Sequence, residues 1–205
     1  MKKPIVLKND LTPEAYEELS SSVELGVDCE MMGLNIYRDR LCLVQIGTEE
    51  THYLVQIDEE KGAPLLKKVL ENEKVIKIFH FARMDCLFLK KRMDINTKNI
   101  FCTKIASKLV RTYTDRHGLK ELVRELTGET MDKTYQSSYW GAENLSESQV
   151  EYAAGDIKYL FRLKSTLMDM LNREKRDHLA GKLFEFLPHR VELDILGYDD
   201  IFDHR

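Results

Sequence analysis

The spacing of apolar and polar residues in the first part of the chain predicts strands. Apolar runs at 23–30, 41–47 and 52–57 are short and bounded by polar residues, which is typical of buried strands. The second and third runs are joined by the polar segment 48–51, which is short enough for an antiparallel hairpin. A short helix is predicted after Thr12-Pro13. We therefore expect a leading helix followed by three strands.

Helices and strands alternate in the middle of the chain. The pattern predicts a helix over 64–70, a strand over 75–79, a helix from Phe81 onward and a short strand over 100–103. Together with the three-strand start, this order predicts an α/β fold in which helices pack on a sheet.

The second half of the chain is predicted to be mainly helical. A helix over 119–126 is followed by Gly128, a residue suited to the left-handed conformation that ends many helices. Ser146 and Gln149 have the spacing of a capping box, and they open an amphipathic pattern that continues to about Leu171. We therefore expect one long helix over this last stretch.

The size and charge of the chain limit its organisation and its partners. With 205 residues, of which 43% are hydrophobic, it is long enough to bury one core. We expect a single domain over residues 1–205, without internal repeats. The formal net charge is −4, which argues against a protein that coats long nucleic acid through a broad basic surface.

Cysteine spacing and the N-terminal segment predict a cytoplasmic protein. None of the cysteines belongs to a C-x-x-C pair or stands at zinc-ligand spacing from a histidine, so we expect reduced, mostly buried thiols. The N-terminal segment has lysines but lacks the apolar core of a secretory signal, and no stretch approaches the length of a membrane span. The cysteines are Cys29, Cys42, Cys86 and Cys102.

Two carboxylates end the first predicted strand. Asp28 and Glu30 stand two residues apart, and side chains at that spacing project from the same face of a strand. Two like charges at the end of a buried strand repel each other and resist desolvation unless a cation holds them. The alternative is a polar strand end that leads into a turn or helix.

Three further residues come from predicted helices. Asp85 is near the start of the helix that follows Phe81, where an acid also complements the helix dipole. Tyr152 and Asp156 are four residues apart in the long helix and therefore share a face; alternatively, they are a buried tyrosine and a solvated acid. Each of these non-catalytic interpretations is reasonable for one residue or pair. For the chain to lack a metal site, however, all of them would have to be true at the same time. The set therefore favours a metal-binding active site.

The densest group of positive charges follows the short strand at 100–103. One interpretation is a solvated helix face, and the other is a patch that holds substrate phosphates. We predict that the cluster lies at a substrate or subunit boundary rather than on a free surface. Its members are Lys104, Lys108 and Arg111 at helical spacing, followed by Arg116, His117 and Lys120.

Six segments carry a likeness to a known enzyme family. They are 38–46, 77–81, 136–140 and 152–156, with 101–120 and 186–194 the most specific to a subfamily. On these residues the chain resembles the DEDDy 3′→5′ exonucleases of the ribonuclease D type, and in particular the small bacterial nanoRNase C family. Cys29 stands where the family usually has threonine, and Tyr139 where an aspartate commonly precedes the tryptophan. Neither departure removes a metal ligand.

The resemblance implies a ribonuclease-H-like fold, with a mixed sheet flanked by helices, and hydrolysis with two divalent ions. Hard Mg²⁺ or Mn²⁺ prefers carboxylate oxygens, which the all-acid set supplies. By resemblance Asp28 bridges both ions, and Glu30 and Asp156 complete the water-activating site. Asp85 then serves the second ion, and Tyr152 orients or deprotonates the attacking water. The implied products are nucleoside 5′-monophosphates released from a 3′ end.

Substrate contacts are assigned mainly by the same resemblance. Leu34 is implied to wedge against the terminal bases, although a leucine here is also typical of simple core. His80 and Phe81 are interpreted as contacts to the scissile nucleotide, with ordinary packing as the alternative. The loop before the long helix is either a sugar and phosphate contact region or a helix-entry loop with a packed tryptophan. The full set is Met32, Gly33, Leu34, His80, Phe81, Lys104, Ser107, Lys108, Arg111, Gln136, Ser138 and Trp140.

We therefore predict a 3′–5′ exoribonuclease that hydrolyses short RNA, with dinucleotides as the best substrates. The main alternative is a ribonuclease D-like enzyme that trims longer RNA or tRNA 3′ ends; such enzymes carry extra helical domains, and this chain ends too soon for them. A DNA exonuclease is a weaker alternative, and an inactive ribonuclease-H-like binding module disagrees with the complete set of five site residues. The family also implies a homo-oligomer, often a ring-like octamer, with the tail after Pro188 as an expected interface.

Overall fold

A central mixed sheet organises the fold in the computed structural model, which describes residues 2–131, 138–199 and 201–202. The strands of the sheet are β1 (Ile5–Lys8), β2 (Glu24–Met31), β3 (Leu41–Gly47), β4 (His52–Gln56), β5 (Ile76–Phe79) and β6 (Ile100–Cys102). Their spatial order is β1-β4-β3-β2-β5-β6. The strand that carries Asp28 and Glu30 therefore lies in the interior of the sheet.

The directions of the strands confirm the predicted antiparallel hairpin, but the fold begins with a strand that the sequence did not predict. β2 and β3 are antiparallel, and β3 and β4 form the expected antiparallel hairpin. The remaining pairs, β1 with β4, β2 with β5 and β5 with β6, are parallel. β1 is absent from the predicted elements. It has four residues at the edge of the sheet, of which only Ile5, Val6 and Leu7 are apolar, so its apolar run is shorter than the runs that identify β2, β3 and β4.

Helices cover both faces of the sheet, and the predicted capping signals are confirmed. Ser146 and Gln149 exchange both hydrogen bonds of a capping box, and Gly128 adopts a left-handed conformation with φ of 76° at the end of its helix. The helices in the described residues are α1 (Pro13–Ser20), α2 (Pro64–Leu70), α3 (Ala82–Met93), α4 (Thr103–Val110), α5 (Leu119–Thr127), α6 (Glu147–Lys158), α7 (Leu160–Arg173) and α8 (Asp177–Leu196).

The prediction of one long helix to about Leu171 is wrong, because the chain bends at Tyr159 between α6 and α7. The two halves pack on different surfaces: α6 lies on β2, β3 and β4, whereas α7 packs against α4, α5 and β5. A straight helix cannot serve both surfaces. The bend therefore frees α6 to follow the strand that carries the first two carboxylates.

The segment after Pro188, which the sequence analysis treats as a tail at an interface, continues a long helix instead. Pro188 lies inside α8, although a proline within a helix removes one backbone hydrogen bond. The flanking residues Leu187 and Val191 are buried in the main core, and α8 packs against α3 and β6. Apolar burial on one face of the helix thus compensates for the missing bond.

The core is divided by the sheet. The larger cluster joins the sheet to α1, α2, α3 and part of α8, and the second joins it to α4, α5 and α7. A small third cluster lies beneath α6 around Trp140. All four cysteines are free and buried, as predicted. Among the described residues, no helix combines the length and apolar character needed to cross a bilayer.

Candidate active site

Three carboxylates from a strand and a helix converge at the centre of the fold. Asp28 and Glu30 project from β2, and Asp156 projects from α6, which crosses that strand. One oxygen from each of the three groups lies within 4.8 Å of the others. The structure therefore brings together three of the four proposed metal ligands.

The electrostatics of this cluster favour a bound cation. Burial raises the pKa of Asp28 well above its ordinary value, and the charges of Asp85, Asp156 and Glu30 raise it further. Acids held this close bind protons or cations in preference to remaining as bare charges. Carboxylate oxygens suit hard divalent ions such as Mg²⁺. The donor set thus fits the metal that the resemblance implies.

Asp85 lies close to this cluster but outside the group of three. It sits in the first turn of α3 and is buried. Burial raises its pKa to about 7, although hydrogen bonds from its own backbone and from Cys29 act in the opposite direction. The residue that replaces the usual threonine therefore contacts the fourth acid. The structure brings Asp85 near enough to raise the pKa of Asp28.

Tyr152 shares the inner face of α6 with Asp156. Burial raises the pKa of its hydroxyl, and the neighbouring acids, Asp156 first among them, raise it further. The ring of Trp140 packs beside it, with the two ring centroids 5.9 Å apart. Trp140 is 2% exposed and belongs to the cluster beneath α6. The interpretation of a packed tryptophan therefore describes Trp140 better than that of a direct substrate contact.

Gln45 is a polar residue of the site that the sequence analysis missed. It pairs with Asp28 across β2 and β3, and its Nε2 lies 3.5 Å from Asp28 Oδ2. The residue is fully buried, and its Oε1 has no hydrogen-bond partner among the described residues. A lone glutamine within an otherwise apolar strand is the signal that points to it. Its amide helps to hold the central carboxylate in place.

The loop at 32–40 presents Leu34 to solvent. Leu34 is 74% exposed and Met32 is 40% exposed, so the interpretation of Leu34 as simple core is wrong. The loop is held internally by Asp39, whose Oδ2 accepts the Asn35 N–H at 2.9 Å. A Cβ on Gly33 would collide with the same carboxylate. The exposed leucine thus stands on an ordered loop beside the end of β2.

His80 and Phe81 lie just ahead of Asp85. Phe81 has a φ of 67°, a conformation that is uncommon for residues other than glycine and is often found at functional sites. The residue is 39% exposed, and Lys104 Nζ lies 4.0 Å from the centroid of its ring. His80 Nδ1 lies 2.9 Å from Thr103 Oγ1. An aromatic face and a cation therefore lie together at the start of the Asp85 helix.

The predicted basic cluster divides into exposed and buried residues. Lys108 is exposed and Lys104 is half-buried, which agrees with a surface role. Arg111 is fully buried instead: its guanidinium pairs with Glu125 and donates to Ser107 Oγ at 3.1 Å. The side chain of Arg111 therefore contacts its own fold and does not reach the surface for the predicted substrate contact.

Of three other predicted contacts, two are internal and one lies outside the described residues. Ser107 is buried, and its hydroxyl lies 2.9 Å from His117 Nδ1. Its polar contact is therefore made within the protein and not at the surface. Ser138 Oγ accepts a hydrogen bond from Gln149 Nε2 at 2.7 Å, at the first turn of α6. Gln136 lies outside the described residues.

A mixed sheet that brings carboxylates from an inner strand and a crossing helix together is the architecture of a ribonuclease-H-like nuclease. The family described as 3′-5′ exonuclease matches residues 4–172. The chain therefore belongs to the 3′-5′ exonuclease family, within which it is similar to the ribonuclease D and nanoRNase C types, as the sequence predicted.

Solved structures of Brucella melitensis NrnC are similar to this chain over the full length of both proteins. The structure with bound Mg²⁺ is 43% identical, with a TM-score of 0.93. The structure bound to pGG is 44% identical, with a TM-score of 0.93.

Two curated relatives are similar over most of this chain. The ribonuclease D of Gluconacetobacter diazotrophicus is 32% identical over 181 residues, which are 87% of this chain and 46% of that protein. The DNA polymerase I of Aquifex aeolicus is 39% identical over 159 residues, which are 78% of this chain and 26% of that protein. The chain thus spans about a quarter to a half of the length of these relatives.

Proposed function

We propose that the protein is a metal-dependent 3′–5′ exoribonuclease that hydrolyses very short RNA to nucleoside 5′-monophosphates. The observation that carries the proposal is the convergence of Asp28, Glu30 and Asp156 within 4.8 Å, in a chain of the 3′-5′ exonuclease family. The Mg²⁺ and pGG held by Brucella melitensis NrnC support the choice of metal and substrate.

Two divalent ions, when bound, would activate the attacking water and stabilise the leaving 3′ oxygen. Asp28 interacts electrostatically with all three other acids, which suits a ligand shared between two ions. Glu30 and Asp156 would hold one ion with it, and Asp85 the other. Either Mg²⁺ or Mn²⁺ suits this set of oxygen ligands.

Tyr152 would orient the attacking water. Its raised pKa keeps the hydroxyl protonated, and this hydroxyl lies in a hydrogen bond with Asp156. A neutral phenol beside a carboxylate donates one hydrogen bond and can accept another. Tyr152 therefore suits the placing of a water molecule better than the removal of its proton.

Substrate binding is assigned to residues exposed near the acids. Leu34 would stack against a terminal base, and the ring of Phe81 with Lys104 would contact a second base or its phosphate. Lys108 extends the same positive surface along α4. Few of the described cationic side chains lie near the site, and the net charge of the protein is −4. Each nucleotide added to the RNA would therefore increase its affinity only slightly, because few positive charges are available to neutralise the added phosphate. This supports a substrate of about two residues.

Cleavage of 5′-labelled RNA of about two to twenty nucleotides, with Mg²⁺ or Mn²⁺, tests the proposal. The expected result is loss of single nucleotides from the 3′ end, fastest for the dinucleotide. Asp156→Asn should be inactive, whereas Asp169→Asn, which changes an exposed acid on the neighbouring α7, should retain activity. Faster cleavage of the longest RNA would favour a ribonuclease D-like enzyme, and a preference for DNA strands would favour a DNA exonuclease. No cleavage under any condition would favour a binding module.

We also propose that the protein is cytoplasmic and assembles as a homo-oligomer, with an octamer as the form implied by its resemblance to the nanoRNase C family. Exposed apolar residues on α8 and beyond it, including Leu183, Leu196 and Phe202, support an interface there. Sedimentation of the wild type and of Leu183→Glu tests this, because a monomer in both cases would contradict it.

A further inference from the structure

Three side chains from the ends of neighbouring strands hold the loop that leads into α6. Residues 141–145 form neither helix nor strand, and three successive backbone carbonyls in this loop each accept a hydrogen bond from a different side chain. We call this set the carbonyl clamp. It consists of Arg40 Nη2 to Gly141 O at 2.8 Å, Gln56 Nε2 to Ala142 O at 3.0 Å and Lys8 Nζ to Glu143 O at 2.9 Å.

The strand register explains why the donors reach successive carbonyls. Lys8 and Gln56 are register partners at the ends of the parallel strands β1 and β4. Arg40 directly precedes β3, the other neighbour of β4. Adjacent strands are about 4.8 Å apart, close to the step of about 3.8 Å between successive residues of the loop. Each strand therefore offers one donor to one loop residue.

Arg40 also connects this loop to the loop that carries Leu34. Its carbonyl accepts the Met32 N–H at 3.1 Å, while its guanidinium binds Gly141 O. The space between the two loops is tight, because a Cβ on Gly141 would collide with Arg40 Nη2 and lie 3.1 Å from Met32 Sδ. The absence of a side chain at Gly141 thus allows the two loops to approach.

The clamped loop is bounded on both sides by residues that contact the catalytic helix. Trp140 precedes it and packs beside Tyr152. Ser146 follows it and caps the first turn of α6 together with Gln149. A shift of the loop would therefore move the start of α6, and with it the positions of Tyr152 and Asp156.

We propose that Arg40, Gln56 and Lys8 are positioning residues that set the place of α6 relative to the carboxylates of β2. The rate effect of this clamp rests on the proposed exonuclease function. Misplacement of reacting groups by about 1 Å costs on the order of 100-fold in rate, so loss of the clamp lowers kcat. KM changes little, because none of the three side chains is assigned to substrate binding.

The test uses the full-length chain with variants that break the clamp in two ways. Gln56→Leu and Arg40→Gln shorten or remove donors, whereas Gly141→Ala keeps every donor and displaces the Arg40 guanidinium. Lys68→Met, which changes an exposed lysine on α2, is the matched control. The readouts are kcat and KM on a short RNA, the melting temperature, and acrylamide quenching of Trp140, the one tryptophan of the chain.

We expect each clamp variant to lose about 10-fold in kcat, and the Gln56→Leu/Arg40→Gln double variant about 100-fold. Trp140 quenching should rise, and the control should match the wild type in both readouts. Arg40→Lys, which retains a donor, should recover part of the rate lost in Arg40→Gln.

The proposal is overturned by a double variant with wild-type kcat and KM, or by one that loses kcat without any change in Trp140 quenching. A double variant whose KM rises at constant kcat would also overturn it, in favour of direct substrate binding. If the wild type hydrolyses no RNA, the proposed function is wrong. Acrylamide quenching of Trp140 still tests whether the carbonyl clamp holds the loop in place. Increased quenching in the double variant would then support it, and unchanged quenching would refute it.

Discussion

Replacing Asp156 with asparagine should stabilise the metal-free protein while removing its hydrolytic activity. The three clustered carboxylates offer oxygens within 4.8 Å of one another, and two unit charges at that distance repel by about 3 kcal/mol at an effective dielectric constant of about 20. The raised pKa of Asp28 means that proton uptake already relieves part of this repulsion. A net gain of about 1–3 kcal/mol remains, which corresponds to a rise in melting temperature of about 2–12 °C for a chain of this size.

The assay is thermal unfolding followed by circular dichroism, first without divalent ions and then with Mg²⁺. The wild type should gain stability from Mg²⁺, because a ligand that binds only the folded state stabilises it. Asp156→Asn should have a higher melting temperature than the wild type without metal, and Mg²⁺ should raise it little further. Asp169→Asn should behave as the wild type. The reasoning about the cluster is refuted if the melting temperature of Asp156→Asn without metal is equal to or below that of the wild type. It is also refuted if Mg²⁺ raises the melting temperature of both proteins by the same amount.

Three further outcomes follow from individual side chains. Tyr152→Phe should lower the single-turnover rate by about 100-fold at unchanged Mg²⁺ affinity, because the attacking water loses the group that places it; an unchanged rate would exclude the assigned role. Lys108→Glu should raise KM at constant melting temperature. Arg111→Ala should instead lower the melting temperature, because it removes a buried guanidinium that pairs with Glu125 and donates to Ser107 Oγ; chemical denaturation together with kinetics separates the two. Burial lowers the pKa of Lys77 to about 8 from an ordinary 10.5. Between pH 8 and 10.5 the unfolded chain therefore binds more protons at this residue than the folded chain does. Stability relative to Lys77→Met should therefore rise by about 3 kcal/mol from pH 8 to 10.5; a flat difference would contradict this.

The parts of the fold that the sequence predicted are those governed by local rules. The hairpin between β3 and β4 follows from two apolar runs and a short polar link, and the capping box at Ser146 follows from residue types three apart. The acid pair in β2 is also local, since two-residue spacing fixes the shared face. Asp156 joins them through the fold, so its place was implied by family resemblance rather than by spacing.

The features that the sequence did not predict depend on contacts between distant segments. The bend at Tyr159 arises because α6 and α7 pack on different elements, and no breaker residue marks it. Pro188 suggests the end of a helix, yet the burial of Leu187 and Val191 carries α8 through it. Arg111 follows the spacing of an exposed basic stripe, but its guanidinium is buried, where it donates to Ser107 Oγ and to the Arg116 carbonyl and pairs with Glu125. Patterns of residue type along one helix do not reveal such partners.

Competition between a labelled dinucleotide and unlabelled RNA of about ten residues, with Mg²⁺ at two salt concentrations, tests the central claim most directly. An enzyme that grips a long strand gains affinity from each phosphate it neutralises, and that gain falls steeply with salt. We expect the dinucleotide to be hydrolysed faster, with weak inhibition by the longer RNA and little dependence on salt. If the ten-residue RNA outcompetes the dinucleotide and is degraded faster, the protein is a general exoribonuclease and the assignment to very short RNA is wrong.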